Sequence, residues 1–407
     1  MLYVKLAWRN LFRNKRRTII ASFAIALGLA ALIFMDALFI GEEKSFIEAA
    51  TSTFLGEAQI THVDFRKKQT SNLTISNFSE TIEKLANDTL VAAFTPRTQS
   101  FGTVTSAADV RGISIHGIAP QSERDLSIID EVIVDGQFFD GDNPRDILIG
   151  VKLAEIVDVE LGDKLILSVA QTKTGDISQQ LFRVSGIFDF GDRSMNSGAV
   201  FIGLPQAREM LGIGETAHTI TIKFVDPNIS RDSTAAFWSN YSVDSNEAIS
   251  WTTIMPMIAS MSDMLIVAKI FMALILMGIV VFVILNTLFM ALYERMFELG
   301  VLRAVGTRPM GIVKLLILEA ASLSIVGIAM GVVLGFGVTA LIAHIGIDFT
   351  GIEFSGIAMR ENIYPVLKVS QFIIYPIGVF IFTIIVGIYP AIHAARMSPA
   401  KAMKRSF

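Results

Sequence analysis

The stretch ERMFELGVLRAVGTRP, Glu294–Pro309, carries Glu294, Arg295, Glu298, Arg303 and Arg308, and it stands between two long apolar runs, Leu265–Tyr293 and Ile312–Ile345. Each run meets the length of about 20 residues that a helix needs to cross a hydrocarbon core. The charged stretch therefore reads as a turn-round at one membrane face. Two further runs, Thr18–Ile40 and Phe372–Ala394, are also long enough to cross. The run from Ile312 is overlong and is expected to tilt or to begin in the interface. The chain is 52% hydrophobic over 407 residues, with mean hydropathy +0.56. That is too apolar for a soluble protein of this length and fits several membrane spans. The first run is longer than the apolar core of a cleaved signal and no A-x-A site follows it, so it reads as an uncleaved anchor.

Charge orients these spans. Residues 1–17 hold Lys5, Arg9, Arg13, Lys15, Arg16 and Arg17, and residues 395–407 hold Arg396, Lys401, Lys404 and Arg405, in both cases without an acid. Basic flanks stay on the cytoplasmic side, so both termini are expected inside. The expected order is an interfacial helix over 1–17, a first span over 18–40 and an outside domain over 41–264 with helical stalk ends. A second span over 265–293, a cytoplasmic segment over 294–311, a third span over 312–345, a short outer loop over 346–371, a fourth span over 372–394 and a tail over 395–407 follow. The fold class is thus membrane α-helical, with four transmembrane helices and a large α+β extracytoplasmic domain inserted between helices 1 and 2.

Within the outside domain, alternating runs predict strands at 58–63, 113–118, 131–134, 164–169, 182–187, 199–202 and 219–224. Helical patterns fall at 79–87, 151–157 and 205–211. Gly175-Asp176 marks a hairpin tip between two of the strands.

Several chemistries are excluded or unsupported. There are no cysteines, so thiol catalysis, disulfides and Cys-built zinc sites are ruled out. No P-loop and no H-E-x-x-H is present, and the five histidines are scattered, so no metal site is expected. GISIHG, Gly112–Gly117, fails the G-x-S-x-G nucleophile pattern and reads as a strand that contains Ser114 and His116. A net charge of −4 gives no reason to expect nucleic acid.

In the charged stretch, Glu294 and Glu298 share a helix face, and Arg295 is placed to pair with Glu298. Phe297, Val301 and Ala304 form an apolar row, with Leu302 and Val305 beside it. Gly306 is placed to end the helix in a left-handed cap, Thr307 to cap the next one, and Pro309 fits its first turn. The reading is a short helix across the cytoplasmic span ends, charged face free to meet a partner. A plain interfacial loop with basic flanks gives the same pattern.

ERMFELGVLRAVGTRPMGIVKLLILEA resembles the coupling segment of the ABC permeases with an FtsX-like domain, the group that contains the MacB efflux permeases and the LolC/LolE lipoprotein-release subunits. YPAIHAARMSPAKAM resembles the group's C-terminal signature, and WRNLFRNKRRT its N-terminal interfacial helix. DGQFFDGDNPRDILIGVKLAEIVDVELGDKLIL followed by RVSGIF is similar to the LolC/LolE periplasmic pattern. The resemblance implies a multi-pass permease of the bacterial inner membrane. It implies a dimer with a second copy or a paralogue, and two separate ABC ATPase subunits that bind ATP and Mg, with no cofactor in this chain. The chain itself would be non-catalytic. ATP-driven movement would pass through Glu294, Arg295, Glu298, Arg303, Gly306 and Arg308 to the outer domain, by mechanotransmission. Cargo would be lipoprotein or another lipid-linked molecule, handed to a periplasmic chaperone. MacB-like efflux and FtsX-like signalling to a cell-wall hydrolase are the alternatives within the group.

By the same resemblance, acyl chains would contact Phe34, Met35, Leu38 and Phe39 near span one and Met261, Met264, Leu265 and Phe271 near span two, residues that equally suit plain membrane lipid. Gly327, Gly331 and Gly335 form a small-residue stripe in span three, fitting close packing inside one subunit or a dimer seam. Glu319 and Lys269, charged residues within spans, are expected to snorkel or, for Glu319, to pair. The hairpin SVAQTKTGDISQQLF, where LolC-type subunits recruit their chaperone, is short and polar here.

Overall fold

The computed structural model describes residues 2–13, 15–172, 174–349, 353–354, 357–358 and 362–396; the basic tail from 397 onward lies outside the described residues. The chain forms two compact units, Met1–Ser45 with Ser262–Asp348 and Glu361–Phe407, and Phe46–Met261 with Phe349–Arg360.

The first unit is helical. We label its helices α1 (Leu2–Arg13), α2 (Lys15–Ala50), α3 (Pro256–Glu294), α4 (Met296–Ala304), α5 (Pro309–Ile345) and α6 (Gln371–Arg396). Helices α2, α3, α5 and α6 are long and apolar enough to cross a membrane. α2 and α3 run on past their apolar stretches, to 36 and 39 residues. At 1.5 Å per residue each is about 55 Å long, well beyond a hydrocarbon core of about 30 Å. α2 is the central helix. Of its most apolar window 44% is buried, against 6% for α3. Ile25, Leu29 and Ile33 of α2 meet Val280 and Ile284 of α3, Leu323 of α5 and Val379 of α6.

The glycine stripe of α5 lies against α2 of the same chain. A Cβ on Gly331 would come 3.0 Å from the Ala26 Cα, and one on Gly327 2.8 Å from the Ile25 Cβ. Such close approach is how helices gain contact where no hydrophobic driving force separates them from lipid. Gly331→Leu is expected to force the pair apart and destabilise the helical unit by about 1–3 kcal/mol. A detergent-dose unfolding curve tests it; an unchanged midpoint would remove the stripe from the packing.

The second unit is built on a ten-stranded sheet. Its strands are β1 (Ala58–His62), β2 (Val91–Thr105), β3 (Val110–Ile118), β4 (Ile133–Gly136), β5 (Asp146–Gly150), β6 (Lys164–Ala170), β7 (Ile177–Phe188), β8 (Ala199–Gly203), β9 (Thr219–Phe224) and β10 (Asn246–Ser250). The order is β10-β1-β9-β2-β3-β8-β5-β7-β4, with β6 paired to β2 and β7. β6 alternates buried and open positions, as a half-covered strand must. β8 is buried throughout, which suits its run AVFIG. Helices Val151–Val157 and Leu204–Leu211 pack with β5–β8 around Leu165, Phe182 and Val200. A second core gathers Ile60, Ile220, Phe224 and Phe237.

Strands β2, β5 and β10 have no counterpart among the runs expected from pattern. β2 holds Pro96 and Gly102, which argue against a strand interior. The structure accommodates both. β2 changes partner along its length, pairing β9 up to Arg97 and β3 from Arg97 onward, so at Pro96 only β9 is paired. At Gly102 a Cβ would sit 2.4 Å from the Ser168 carbonyl oxygen, so only glycine lets β6 approach there. The expected 175–176 tip does close the β6–β7 hairpin, with Ala170 opposite Ile177.

Candidate coupling site

Helix α3 ends at Glu294, and α4 begins two residues later. Between them Arg295 takes φ −111 and ψ 11. α4 ends in a Schellman arrangement: Thr307 N–H donates to the Leu302 carbonyl at 3.0 Å, and Gly306 N–H to that of Arg303 at 3.1 Å. This requires Gly306 at positive φ, here +104, a conformation that costs glycine little. The next helix departs from expectation. Its cap is Arg308, not Thr307, with no side-chain capping bond, and Pro309 stands in the first turn.

The orientation of α4 reverses the expected one. Met296, Leu299 and Gly300 are buried, and Leu299 packs with Leu292, Ile312 and Ala394 from α3, α5 and α6. Val305 is 82% exposed, Met310 63% and Phe297 50%, with Val301 and Leu302 also open. Of the charges expected to face a partner, Arg295 turns inward and Glu298 leans toward it. Arg295 Nη1 contacts Glu319 Oε1 of α5 at 2.6 Å, and Arg295 Nε contacts Glu298 Oε2 at 3.2 Å. Glu298 also accepts from Arg13 of α1, and Glu319 accepts from Asn10 Nδ2 at 2.5 Å. Arg295 and Glu319 are only 15% and 12% exposed, so neither snorkels.

The physical reason is satisfaction of charge. Glu319 sits where an unpaired carboxylate is costly. Turning Arg295 inward neutralises it, and the same rotation carries the apolar row outward. Arg13, hydrogen-bonded to Glu298, with Arg295 beside it, holds the Glu298 carboxyl below the usual carboxylate range. Glu294 and Arg308 are exposed, while Arg303 is half-buried and its buried Nε has no hydrogen-bond partner among the described residues.

The residues singled out for acyl contact are divided. Phe34, Met35, Leu38 and Phe39 of α2 are half-buried, as is Leu265, whereas Met264 and Phe271 of α3 are open. Met261 packs beside Phe46, Trp251 and Ile258. Lys269 does not simply snorkel: its Nζ lies 3.1 Å from Asp36 Oδ1 on α2. Asp36 was hidden in an apolar run, and the only sequence signal was the acid itself, in a place where acids are rare.

Chemistry is not assembled elsewhere among the described residues. No group of three or more His, Asp or Glu could hold a metal ion. Ser114 and His116 do touch, at 3.1 Å. The ring is enclosed by Phe54 and Phe201, and burial, with Arg97 nearby, pushes its pKa down to about 3. A neutral, enclosed imidazole beside a cation is a packing element.

Residues 18–236 match the family described as MacB-like periplasmic core domain, and residues 270–399 match FtsX-like permease C-terminal. The chain is 23% identical to the lipoprotein-releasing system transmembrane protein LolC of Neisseria meningitidis, over 98% of both chains. It is 24% identical to the macrolide export ATP-binding/permease protein MacB of Neisseria gonorrhoeae, over 83% of this chain and 52% of that protein. The solved periplasmic region of MacB from Actinobacillus actinomycetemcomitans covers 52% of this chain and 95% of its own, at 16% identity and TM-score 0.36.

Proposed function

We propose, on the premise that this chain belongs to the family with a MacB-like periplasmic core domain and an FtsX-like permease C-terminus, that it is the ABC permease subunit through which ATP-driven movement lifts lipoprotein or lipid-linked cargo out of the outer leaflet of a bacterial inner membrane. The observation that carries this reading is α4. A short helix with Phe297, Val301 and Leu302 turned outward, followed by exposed Val305 at its end, and with Arg295 and Glu298 fixed from behind by α1 and α5, is a rigid apolar key. Such a patch on a cytoplasmic turn beyond the apolar spans fits a binding surface. The partner that fits is a separate ATPase subunit, two per dimer of permeases, which binds ATP and Mg. A nucleotide changes conformation only by contacting two states differently, and a helix pinned by ion pairs passes that difference on.

Basic residues at both chain ends support cytoplasmic termini and a periplasmic ten-stranded unit. The full-length match to a lipoprotein-releasing subunit favours lipid-linked cargo. Half-buried Met35 and Phe39, with open Met264 and Phe271, give the flexible apolar surface an acyl chain needs.

The test is co-purification in mild detergent, with mass spectrometry of protein and lipid, for the wild type and for Phe297→Asp with Val305→Asp. An ATPase subunit should accompany the wild type and be lost from the variant, and acylated protein should be found in the wild-type sample. No ATPase with the wild type in several detergents would sink the permease reading. ATPase without acylated protein would shift the cargo toward efflux.

A further inference from the structure

The ion pair between Asp36 and Lys269 lies far from α4, about 30 Å along α2 from its first residue and about 37 Å along α3 from its last. Asp36 of α2 is held from two neighbouring helices. Lys269 of α3 lies 3.1 Å from one carboxylate oxygen. Gln371 Nε2 of α6 donates to the other at 2.8 Å, and Tyr375 of α6 lines the gap beside the pair. Gln371 is itself fixed, since its Oε1 accepts from Lys368 N–H at 3.0 Å. The Asp36 side chain is 9% exposed and that of Lys269 34%.

This arrangement is unequal. If Lys269 leaves, Asp36 keeps the Gln371 amide donor of α6, so the carboxylate is not left bare. Lys269 has the longer reach and the greater access to the membrane surface, where a lysine head can snorkel at small cost. The two helices also differ: α2 is the buried centre and α3 the least buried span. Between them, Met35, Phe39 and Met272 line a cavity of about 10 Å³ beside the pair. That is room for one water at most. Apolar contacts between helices give little preference for each other over lipid. The charge pair is a specific tie between α2 and α3, and wetting weakens it, because the attraction falls as the local dielectric rises.

We propose that Asp36–Lys269 is a latch between α2 and α3. Closed, it holds α3 to the centre of the bundle. Open, it frees α3 while Asp36 stays docked on Gln371, and it uncovers the methionine-lined gap. The inference rests on the permease reading for what drives the opening, because a nucleotide-dependent partner must supply the difference between the states. Lys269 is a positioning residue in this account and touches no reacting atom.

The chain contains no cysteine, so Asp36→Cys with Lys269→Cys can be bridged specifically by a short bis-methanethiosulfonate crosslinker that replaces the reach of the lysine. The double variant is purified with its ATPase, and crosslinking is compared without nucleotide and after trapping with ATP and vanadate. The yield should fall on the order of tenfold on trapping. The crosslinked form should lose cargo release, and reduction should restore it. Lys269→Met, which keeps bulk without charge, should raise basal ATP hydrolysis and lower cargo release. Equal yields in both states, with ATP hydrolysis intact, overturn the latch and leave the permease reading standing. A preparation with no ATPase overturns the permease reading and the latch together.

Discussion

Replacing Glu123 by Ala will remove a large part of the stability of the ten-stranded unit. The Glu123 side chain is 0% exposed and that of Arg97 5%. They meet twice, Nη2 to Oε1 at 2.5 Å and Nε to Oε2 at 3.0 Å, and Ser127 Oγ donates to the same carboxylate at 2.6 Å. Arg97 also donates to the Phe54 carbonyl and lies 3.7 Å over the Phe54 ring. Phe54 belongs to the π-helical turn Thr51–Leu55 that follows α2, and its ring packs against His116 and Phe201. The pair therefore ties the turn Thr51–Leu55 to the sheet's own core. Removing the acid leaves a buried guanidinium without a counter-charge, at a cost of about 3–5 kcal/mol. That is a large part of the roughly 5–15 kcal/mol that holds a domain together. Removing both charges, Arg97→Met with Glu123→Leu, should cost less than either single change. Thermal unfolding followed by protease protection of residues 46–261 measures all three. A double variant worse than both singles would show that the pair acts through something other than mutual charge.

Glu298→Lys will break the tie between α1 and α4. It sets a cation between Arg13 and Arg295, where the carboxylate now accepts from both. Arg295 remains drawn to Glu319, so the helix bundle should still form. What is lost is the fixed orientation of α4. Cargo-stimulated ATP hydrolysis by the assembled transporter should fall on the order of a hundredfold, as when a positioning group is misplaced by about 1 Å. Adding Arg13→Glu should recover part of it, because the pair is restored with its signs exchanged. No loss in the single variant, or no recovery in the double, would remove the α1–α4 contact from the mechanism. The pH dependence has a definite sign. Glu298 is held below its ordinary range in the folded state. Its contribution is present above the unfolded carboxylate value and fades only as pH falls through the lowered folded one. The tie should therefore persist at neutral and mildly acidic pH.

The helical unit was legible because membrane spans announce themselves by length and apolarity alone, and Gly306 and Pro309 marked the turn-round between two of them. The rotation of α4 was not legible. A row of Phe297, Val301 and Leu302 normally faces inward, and only the distant partners Arg13 and Glu319 decide that Arg295 and Glu298 take that side. Asp36 was missed for the same reason, since its donors come from α3 and α6. In the sheet, runs with clean alternation such as 164–169 were readable. β2 was not, because Pro96, Arg97 and Gly102 make sense only once β9, β3, β6 and Glu123 are in place. Local pattern carries what local forces decide; long-range pairing overrides it at the positions that matter here.

The sheet order also sets a timetable. β1 sits between β9 and β10, so the first strand made is flanked by two that are made last. Synthesis delivers β10 about 190 residues after β1, on the order of ten to forty seconds at the usual pace of translation. During that interval both edges of AQITH are unpaired, while β2, β3 and their neighbours can already assemble. Birth of the protein thus includes a waiting period with an open strand outside the membrane. It ends only when the chain returns through β10 toward its second span.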